Sequence, residues 1–247
     1  MPIASGSYTR LSRTPRYSLV FALPLLVLYE ILAFAMSGDA ITGVRNGADV
    51  LLKSVFIALG GRSGVAAFGV LLVGGGAVLV WRDMRTHGGR LRGRVFALML
   101  AESVGYGLMI GVVTGTLTGL VLHALPALAL APSPIQRLGL PTQLMISLGA
   151  GLYEELLFRV LLVSGLAALA RRAFGWRPGV AAAFATLVGA VVFSAFHYIG
   201  PYGDELTVGS FTFRLLAGLI FSALYLTRGF GITAWSHALY DIFLSLA

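Results

Sequence analysis

The sequence has no cysteine and few charged residues. Lysine and arginine together number 18 and aspartate and glutamate 10, so charged residues make up 11% of the 247 positions, against about 25% in an ordinary soluble domain. Without cysteine the chain has no disulfides, no thiolate metal ligands and no cysteine nucleophile. So few charges leave too little polar surface for a soluble enzyme or a nucleic-acid-binding domain, and the composition is the opposite of that of a disordered chain.

Apolar residues are abundant instead. They make up 57% of the chain, and the mean hydropathy is +0.88. A helix needs about 20 apolar residues to cross a bilayer. At that length the sequence predicts seven strong spans, at 17–36, 64–81, 95–124, 142–170, 178–199, 208–227 and 230–246. We therefore expect an all-α polytopic integral membrane protein with seven or eight transmembrane helices.

The segment 46–59 decides between seven and eight spans. It is less apolar than the others, and Asp49 and Lys53 lie four residues apart, on one side of a helix. That pattern favours an amphipathic helix lying at the membrane surface over a crossing. We assign the segment to an amino-terminal transmembrane region, residues 17–141, and keep a crossing as the alternative.

The basic residues indicate membrane orientation, although a net charge of +8 on a soluble chain would suggest a nucleic-acid partner. Seventeen of the 18 are arginine, and most lie in short gaps between apolar runs. If 46–59 does not cross, 12 basic residues share the side of the amino terminus and four lie on the other side. The positive-inside rule then makes residues 1–16 a cytoplasmic tail. The compact, arginine-rich form favours a bacterial inner membrane, and we expect no nucleic-acid partner.

Glycines recur every four residues in the third span, at Gly107, Gly111, Gly115 and Gly119. Small residues at that spacing let two helices approach closely. Packing within one chain is the favoured interpretation, and a homodimer through this stripe is the alternative.

Ionisable residues within the spans are the functional candidates, because a charge at the bilayer centre costs at least about 2.5–3.5 kcal/mol. Most of them cluster in the carboxy-terminal half of the chain. They are Glu102, Glu154, Glu155, Arg159, His197, Arg214, His237 and Asp241, with Glu30 near the end of a span. We expect Glu102 and Arg214 to be paired with other polar groups and not to be catalytic.

The fourth span holds two adjacent glutamates. Glu155 and Arg159 are four residues apart and can pair on one face of a helix. Glu154 points about 100° away and stays free to meet another partner. A structural role needs only the pair of Glu155 and Arg159, so Glu154 is the candidate for a chemical role. The alternative is that Glu154 is hydrogen-bonded to a polar group of another helix.

Two histidines lie in the spans that follow. Phe193 and His197 are four residues apart, so the phenyl ring can pack on the imidazole and fix its rotamer. His237 and Asp241 have the same spacing in the last span, where Asp241 could orient His237 and fix its tautomer. Each pair alone is weak, but together with the glutamate pair they place catalytic residue types on three helices within the membrane.

The motifs EExxxR at Glu154–Arg159, FxxxH at Phe193–His197 and HxxxD at His237–Asp241 follow one another in this order. This combination resembles the CPBP family, also called the CAAX-protease and bacteriocin-processing or Abi family, which includes the type II CAAX prenyl endopeptidases. The resemblance covers about residues 142–247, which we take as a catalytic core of four helices.

The resemblance implies a role for each matched residue. Glu154 would be the general base on a water molecule, and His197 would help to hold that water. Glu155 and Arg159 would form the structural pair, with Phe193 supporting the site.

The resemblance also implies that His237 and the residue at position 241 stabilise the oxyanion. Asp241 stands where asparagine is common in the family. An ionised aspartate accepts hydrogen bonds but cannot donate one. Asp241 would therefore have to be protonated, act through His237 or bind a metal.

We therefore expect an intramembrane, glutamate-type endopeptidase that cleaves a membrane-tethered or membrane-proximal peptide and needs no cofactor. A zinc protease with Glu154, His197, His237 and Asp241 as ligands is the nearest alternative, although the chain has no HExxH motif. A transporter that uses these charges as a proton relay and a non-catalytic immunity protein on the same fold are the alternatives from other classes.

Overall fold

The protein is described here from a computed structural model, which covers residues 5–37, 44–123 and 134–246. The described residues form helices and no β-strand, so the predicted all-α fold is confirmed. The elements are α1 (Ser5–Ser12), α2 (Pro15–Ser37), α3 (Gly47–Gly60), α4 (Arg62–His87), α5 (Gly93–Val121), a 3₁₀ turn (Pro134–Arg137), α6 (Leu140–Gly149), a π-helix (Ala150–Val163), α7 (Ser164–Phe174), α8 (Pro178–Phe196), α9 (Val208–Arg228) and α10 (Phe230–Leu246).

Five described helices are long and apolar enough to cross a membrane: α2, over Pro15–Met36, and α4, α5, α8 and α9 over their full lengths. The stretch from α6 through the π-helix to α7 is continuous, and α10 has 17 residues. Both coincide with predicted spans, so the protein is a polytopic membrane protein. The number of crossings stays a prediction.

Contacts at one end of the bundle show how the first helices run. Arg16, at the start of α2, lies 3.4 Å from the carboxylate of Asp83 near the end of α4 and donates to the carbonyl of Gly88. The backbone N–H of Arg92, just before α5, donates to the hydroxyl of Tyr17 at 3.0 Å. The start of α2, the end of α4 and the start of α5 therefore lie together, as expected if the intervening 46–59 segment does not cross.

Helix α3 is amphipathic with its charged face turned inward. Asp49 and Lys53 are buried, with 0% and 7% of their surface exposed, whereas Val50 and Val55 are about half exposed. The reason is a set of ion pairs with the end of α2, in which Lys53 contacts Asp49 at 2.8 Å and Glu30 at 3.0 Å. The charged face is therefore held against the protein while the apolar face points outward, and the position of this helix at the membrane surface stays a prediction.

The glycine stripe of α5 packs within the chain. A side-chain carbon at Gly107 would lie 3.0 Å from Cβ of Leu239, and one at Gly111 would lie 3.0 Å from the ring of Tyr240, both on α10. At Gly115 no described atom would lie within 4 Å. Close packing of α5 on α10 therefore accounts for the first two glycines, and a homodimer through the stripe stays a prediction.

Close helix contacts also place the π-helix at the centre of the molecule. A side-chain carbon at Gly151 would lie 2.7 Å from Cβ of Ala238 and would overlap the carbonyl oxygen of Ala234 on α10. One at Gly149 would lie 2.8 Å from Cβ of Asn46, just before α3. The absence of side chains at these two positions lets α3 and α10 approach the segment that carries Glu154 and Glu155.

Candidate active site

The π-helix carries the three charged residues of the EExxxR motif. Glu154, Glu155 and Arg159 are buried, with 7%, 0% and 1% of their surface exposed. A π-helix turns by a smaller angle per residue than an α-helix, so residues four apart point in nearly the same direction. Arg159 Nη1 accordingly lies 3.2 Å from Glu155 Oε1, which is the pair predicted from the spacing.

Aromatic rings enclose the buried guanidinium of Arg159. Its central carbon lies 4.3 Å from the ring centre of Phe193 on α8 and 5.4 Å from that of Phe221 on α9. Such cation–π contacts stabilise a cation that has lost its water. Phe193 was predicted to support the site, whereas Phe221 was not, because its spacing from the motifs carries no signal.

Glu155 also holds His237. Its Oε1 lies 2.7 Å from His237 Nδ1, and the ring of Phe221 stacks on the imidazole at a centre distance of 4.3 Å. Asp241, expected to orient His237, lies 3.6 Å from Nε2, beyond hydrogen-bond distance. Glu155 therefore orients His237 at one nitrogen, and the carboxylate of Asp241 lies beside the other.

His197 follows the last residue of α8, so the predicted span 178–199 ends three residues early. Its Nδ1 lies 2.8 Å from the carbonyl oxygen of Phe193, and the two rings are in edge contact at 4.7 Å. Because a carbonyl oxygen only accepts, Nδ1 carries the proton of the neutral imidazole, and Nε2 is then an acceptor. The backbone N–H of Asp204 donates to the carbonyl of His197 at 2.9 Å, which folds the following loop back on this end of α8.

The two oxygens of Glu154 have different surroundings. Oε1 accepts a hydrogen bond of 2.8 Å from the side-chain amide of Asn46. Oε2 faces His197 Nε2 at 3.8 Å and has no donor among the described residues. Two acceptors facing each other at this distance are both satisfied by a molecule that donates two protons, which a water molecule can do.

Asn46 is a second site residue, besides Phe221, that the motifs did not predict. It caps the amino terminus of α3, where its Oδ1 accepts from the N–H of Ala48 at 2.9 Å, and it is the only asparagine in the sequence. An asparagine before an amphipathic segment is recognisable as a helix cap. Its contact with Glu154, 108 residues later, cannot be predicted from the spacing of residues within one helix.

Glu102 and Arg214 are each paired with another polar group, as predicted. Glu102 accepts from Arg228 at 2.5 and 2.7 Å and from the hydroxyl of Tyr8 in α1 at 2.6 Å. Arg214 forms an ion pair with Asp204. Both pairs explain how a charge is tolerated within the apolar spans.

The zinc alternative requires candidate ligands that lie close enough together to share one ion. Among the residues that the structure describes, no three His, Asp or Glu side chains are arranged to hold a metal ion. Glu154, His197, His237 and Asp241 would have to move to become ligands. Metal independence itself stays a prediction.

Comparison with known proteins gives a match for the carboxy-terminal part of the chain. Residues 136–243 match the family model described as "Type II CAAX prenyl endopeptidase Rce1-like". The matched part contains all three motifs and ends before α10 does, whereas Asn46 lies outside it. No curated protein and no solved structure matches the chain.

Proposed function

Because residues 136–243 match the family model described as "Type II CAAX prenyl endopeptidase Rce1-like", we propose that this membrane protein is an endopeptidase with Glu154 as its general base. The observation that carries the proposal is the 3.8 Å approach of two acceptors, Oε2 of the buried Glu154 and Nε2 of His197, whose side chain is 18% exposed. A glutamate at that position needs a partner that brings protons, and a hydrolytic water is such a partner.

The first chemical step follows from this arrangement. The water donates one hydrogen to Glu154 Oε2 and the other to His197 Nε2, which leaves a lone pair on its oxygen for the scissile carbonyl carbon. As the bond between the water oxygen and the carbonyl carbon forms, Glu154 takes one proton from the water. The π electrons of the carbonyl group move to the carbonyl oxygen, which becomes the oxyanion. Glu154 then has a proton to give to the leaving amine when the C–N bond breaks.

His237 is suited to stabilise the oxyanion of this intermediate. Its Nδ1 donates to Glu155 at 2.7 Å, so Nε2 donates only if the ring carries two protons. Glu155 on one side of the ring and Asp241 on the other favour that imidazolium form. Asp241 would then act through His237 and would not donate to the oxyanion itself.

The substrate we propose is a membrane-tethered or membrane-proximal peptide segment. His197 ends a membrane-spanning helix, so the scissile bond would lie near one face of the bilayer. A zinc-dependent protease with the same residues, and a non-catalytic immunity or transport protein on this fold, remain the alternatives.

Cleavage by purified protein in proteoliposomes tests the proposal. We would assay a library of lipid-tethered fluorogenic peptides with the wild type, Glu154→Gln and the matched control Glu102→Gln, whose carboxylate lies outside the site. Wild type and control should release the fluorophore, and Glu154→Gln should not. Cleavage by Glu154→Gln at the wild-type rate would refute the glutamate mechanism, and no cleavage by the wild type would favour the non-catalytic alternative.

We also propose that the amino terminus is cytoplasmic, in a bacterial inner membrane, and that the site opens toward the other side. The support is the excess of arginine at the end of the bundle that contains the start of α2. Single cysteines at the exposed positions Met84 and Glu205 of this cysteine-free chain test it. In intact cells an impermeant maleimide should label position 205 and reach position 84 only after permeabilisation; the reverse would place the opening in the cytoplasm.

A further inference from the structure

We infer that Asn46 is a positioning residue of this site: its amide anchors one oxygen of Glu154 and thereby keeps the other aimed at the water beside His197. The inference rests on the proposed function of Glu154. It adds a residue from the amino-terminal half of the chain, 90 positions before the first residue of the family match.

Hydrogen bonds of its side chain and of its backbone hold Asn46 in place. Oδ1 accepts from the N–H of Ala48 at 2.9 Å, and the backbone N–H of Asn46 donates to the hydroxyl of Tyr29 at 3.2 Å. The side chain is buried, with 3% of its surface exposed, and it packs against the bare backbone of Gly149. Because Oδ1 is occupied by the helix cap, Nδ2 is the atom turned toward Glu154.

An anchored carboxylate differs from a free one in the geometry it offers to water. With Oε1 held at 2.8 Å by Asn46, rotation of the carboxylate about its terminal bond is restricted, and Oε2 stays opposite His197. Without the anchor the two oxygens can exchange places, and one buried lone pair loses its donor. Catalytic groups need such support from residues around them, because small displacements reduce the rate strongly.

A network of ion pairs between α2 and the start of α3 supports the position of Asn46. The hydroxyl of Tyr29 donates to Asp49 at 2.7 Å, and Asp49 is paired with Arg45 at 3.0 Å and with Lys53 at 2.8 Å. Glu30 completes a set of two cations and two anions by contacting Lys53 at 3.0 Å. The network fixes the first turn of α3 against α2, so it explains why α3 turns its charged face inward: these charges hold the residue that holds Glu154.

The network also reaches the π-helix directly. The hydroxyl of Tyr153, the residue before Glu154, donates to Glu30 at 2.6 Å. Tyr29 and Tyr153 are in edge contact at a centre distance of 5.2 Å. Both partners of the Asn46–Glu154 hydrogen bond are thus tied to the same set of charges, which fixes their separation.

Two substitutions separate positioning from helix capping. Asn46→Ser retains an N-cap oxygen but is too short to reach Glu154, whereas Asn46→Ala removes both cap and donor. Thr207→Ala is the matched control, because Thr207 caps α9 through a bond to the N–H of Ser210 and lies outside the proposed machinery. Kinetics in proteoliposomes and thermal midpoints in detergent are measured for all three and for Glu154→Gln.

We expect Asn46→Ser to lower kcat by about 10- to 100-fold, as for the loss of one hydrogen bond to a charged group, with little change in KM, because Asn46 does not contact substrate. Its thermal midpoint should stay above that of Asn46→Ala, and Thr207→Ala should lose stability without losing kcat. Wild-type kcat in Asn46→Ser, with Glu154→Gln inactive, would overturn the inference and leave the proposed function standing. Full activity of Glu154→Gln would instead overturn the proposed function.

A double-mutant cycle supplies a readout that needs no substrate. The midpoint changes of Asn46→Ser and Glu154→Ala should be non-additive in the double variant, because each removes one partner of the same hydrogen bond. Additive changes would show that the two side chains are not coupled, and would overturn the inference whatever the protein cleaves.

Discussion

The substitutions Glu155→Gln and Glu154→Gln should fail in opposite ways, although the two glutamates are adjacent. Glu155 neutralises Arg159, which is almost completely buried at 1% exposure, and accepts from His237. Glutamine can still accept from His237, but it leaves the guanidinium without its carboxylate. Breaking a buried ion pair on one side costs about 3–5 kcal/mol.

The aromatic rings around Arg159 are too weak to compensate. A desolvated cation–π contact contributes about 2 kcal/mol, and the contacts with Phe193 and Phe221 are already present in the wild type. For a chain of this size a loss of about 3–5 kcal/mol lowers the thermal midpoint by roughly 6–20 °C. The main effect of Glu155→Gln should therefore be a loss of stability. Its cleavage rate should also fall, because His237 is less firmly held.

Glu154→Gln should be stable and inactive. The glutamine oxygen can accept from Asn46 as Oε1 does, and its amide nitrogen can donate toward His197 Nε2, so every polar atom keeps a partner. We expect the free energy of unfolding to change by less than about 1 kcal/mol and the cleavage rate to fall by about 10²–10⁴-fold.

The measurement is a thermal unfolding curve in detergent beside a peptide-cleavage rate for each variant. The reasoning is refuted if Glu155→Gln unfolds at the wild-type midpoint, because Arg159 would then not depend on its carboxylate. It is refuted equally if Glu154→Gln unfolds early, because its loss of activity would then report misfolding.

Three further outcomes follow from the packing and the pairing. Glu102→Gln should lower stability by about 1–3 kcal/mol, because glutamine lacks the charge that pairs with Arg228 and has one acceptor oxygen in place of two. The kcat should stay at the wild-type value, and a folded but inactive variant would place Glu102 in the site. Gly151→Ala should cost about 1–3 kcal/mol of stability and most of the activity, because the added carbon meets Ala234 and pushes α10 away from the π-helix. Wild-type stability together with a wild-type cleavage rate would show that this close helix contact is not needed. Dialysis against a strong chelator should leave the cleavage rate unchanged, and stoichiometric zinc in elemental analysis together with lost activity would establish the zinc protease instead.

The helices and the partners within one helix could be predicted from the sequence. Apolar length identifies a membrane helix, and a spacing of four residues places two side chains on one face, as for Glu155 with Arg159. The family resemblance of the carboxy-terminal part is likewise confirmed by the match over residues 136–243, because the three motifs lie within short stretches of chain.

Contacts between helices could not be predicted in the same way. Spacing along one helix does not tell how far the helix is rotated against its neighbours, so Asp241 was the expected partner of His237 and Glu155 was found instead. The amphipathic pattern of α3 is compatible with either face turned inward. The charged face is the one turned inward because Arg45 and Lys53 form ion pairs with Glu30 on α2. The capping signal of Asn46 was present, but nothing local connects it to Glu154.

The wide separation of the site residues along the chain has a consequence for synthesis. Asn46 precedes Glu154 by 108 residues, and Glu155 precedes His237 by 82. At translation rates of about 5–20 residues per second, roughly 10–40 seconds pass between the appearance of Asn46 and that of His237. With the roles proposed above, the nascent chain during that time has an anchor without a base, and then a base without a donor for the oxyanion. Cleavage would then begin only after α10 has joined the bundle, so the order of synthesis would itself delay the activity.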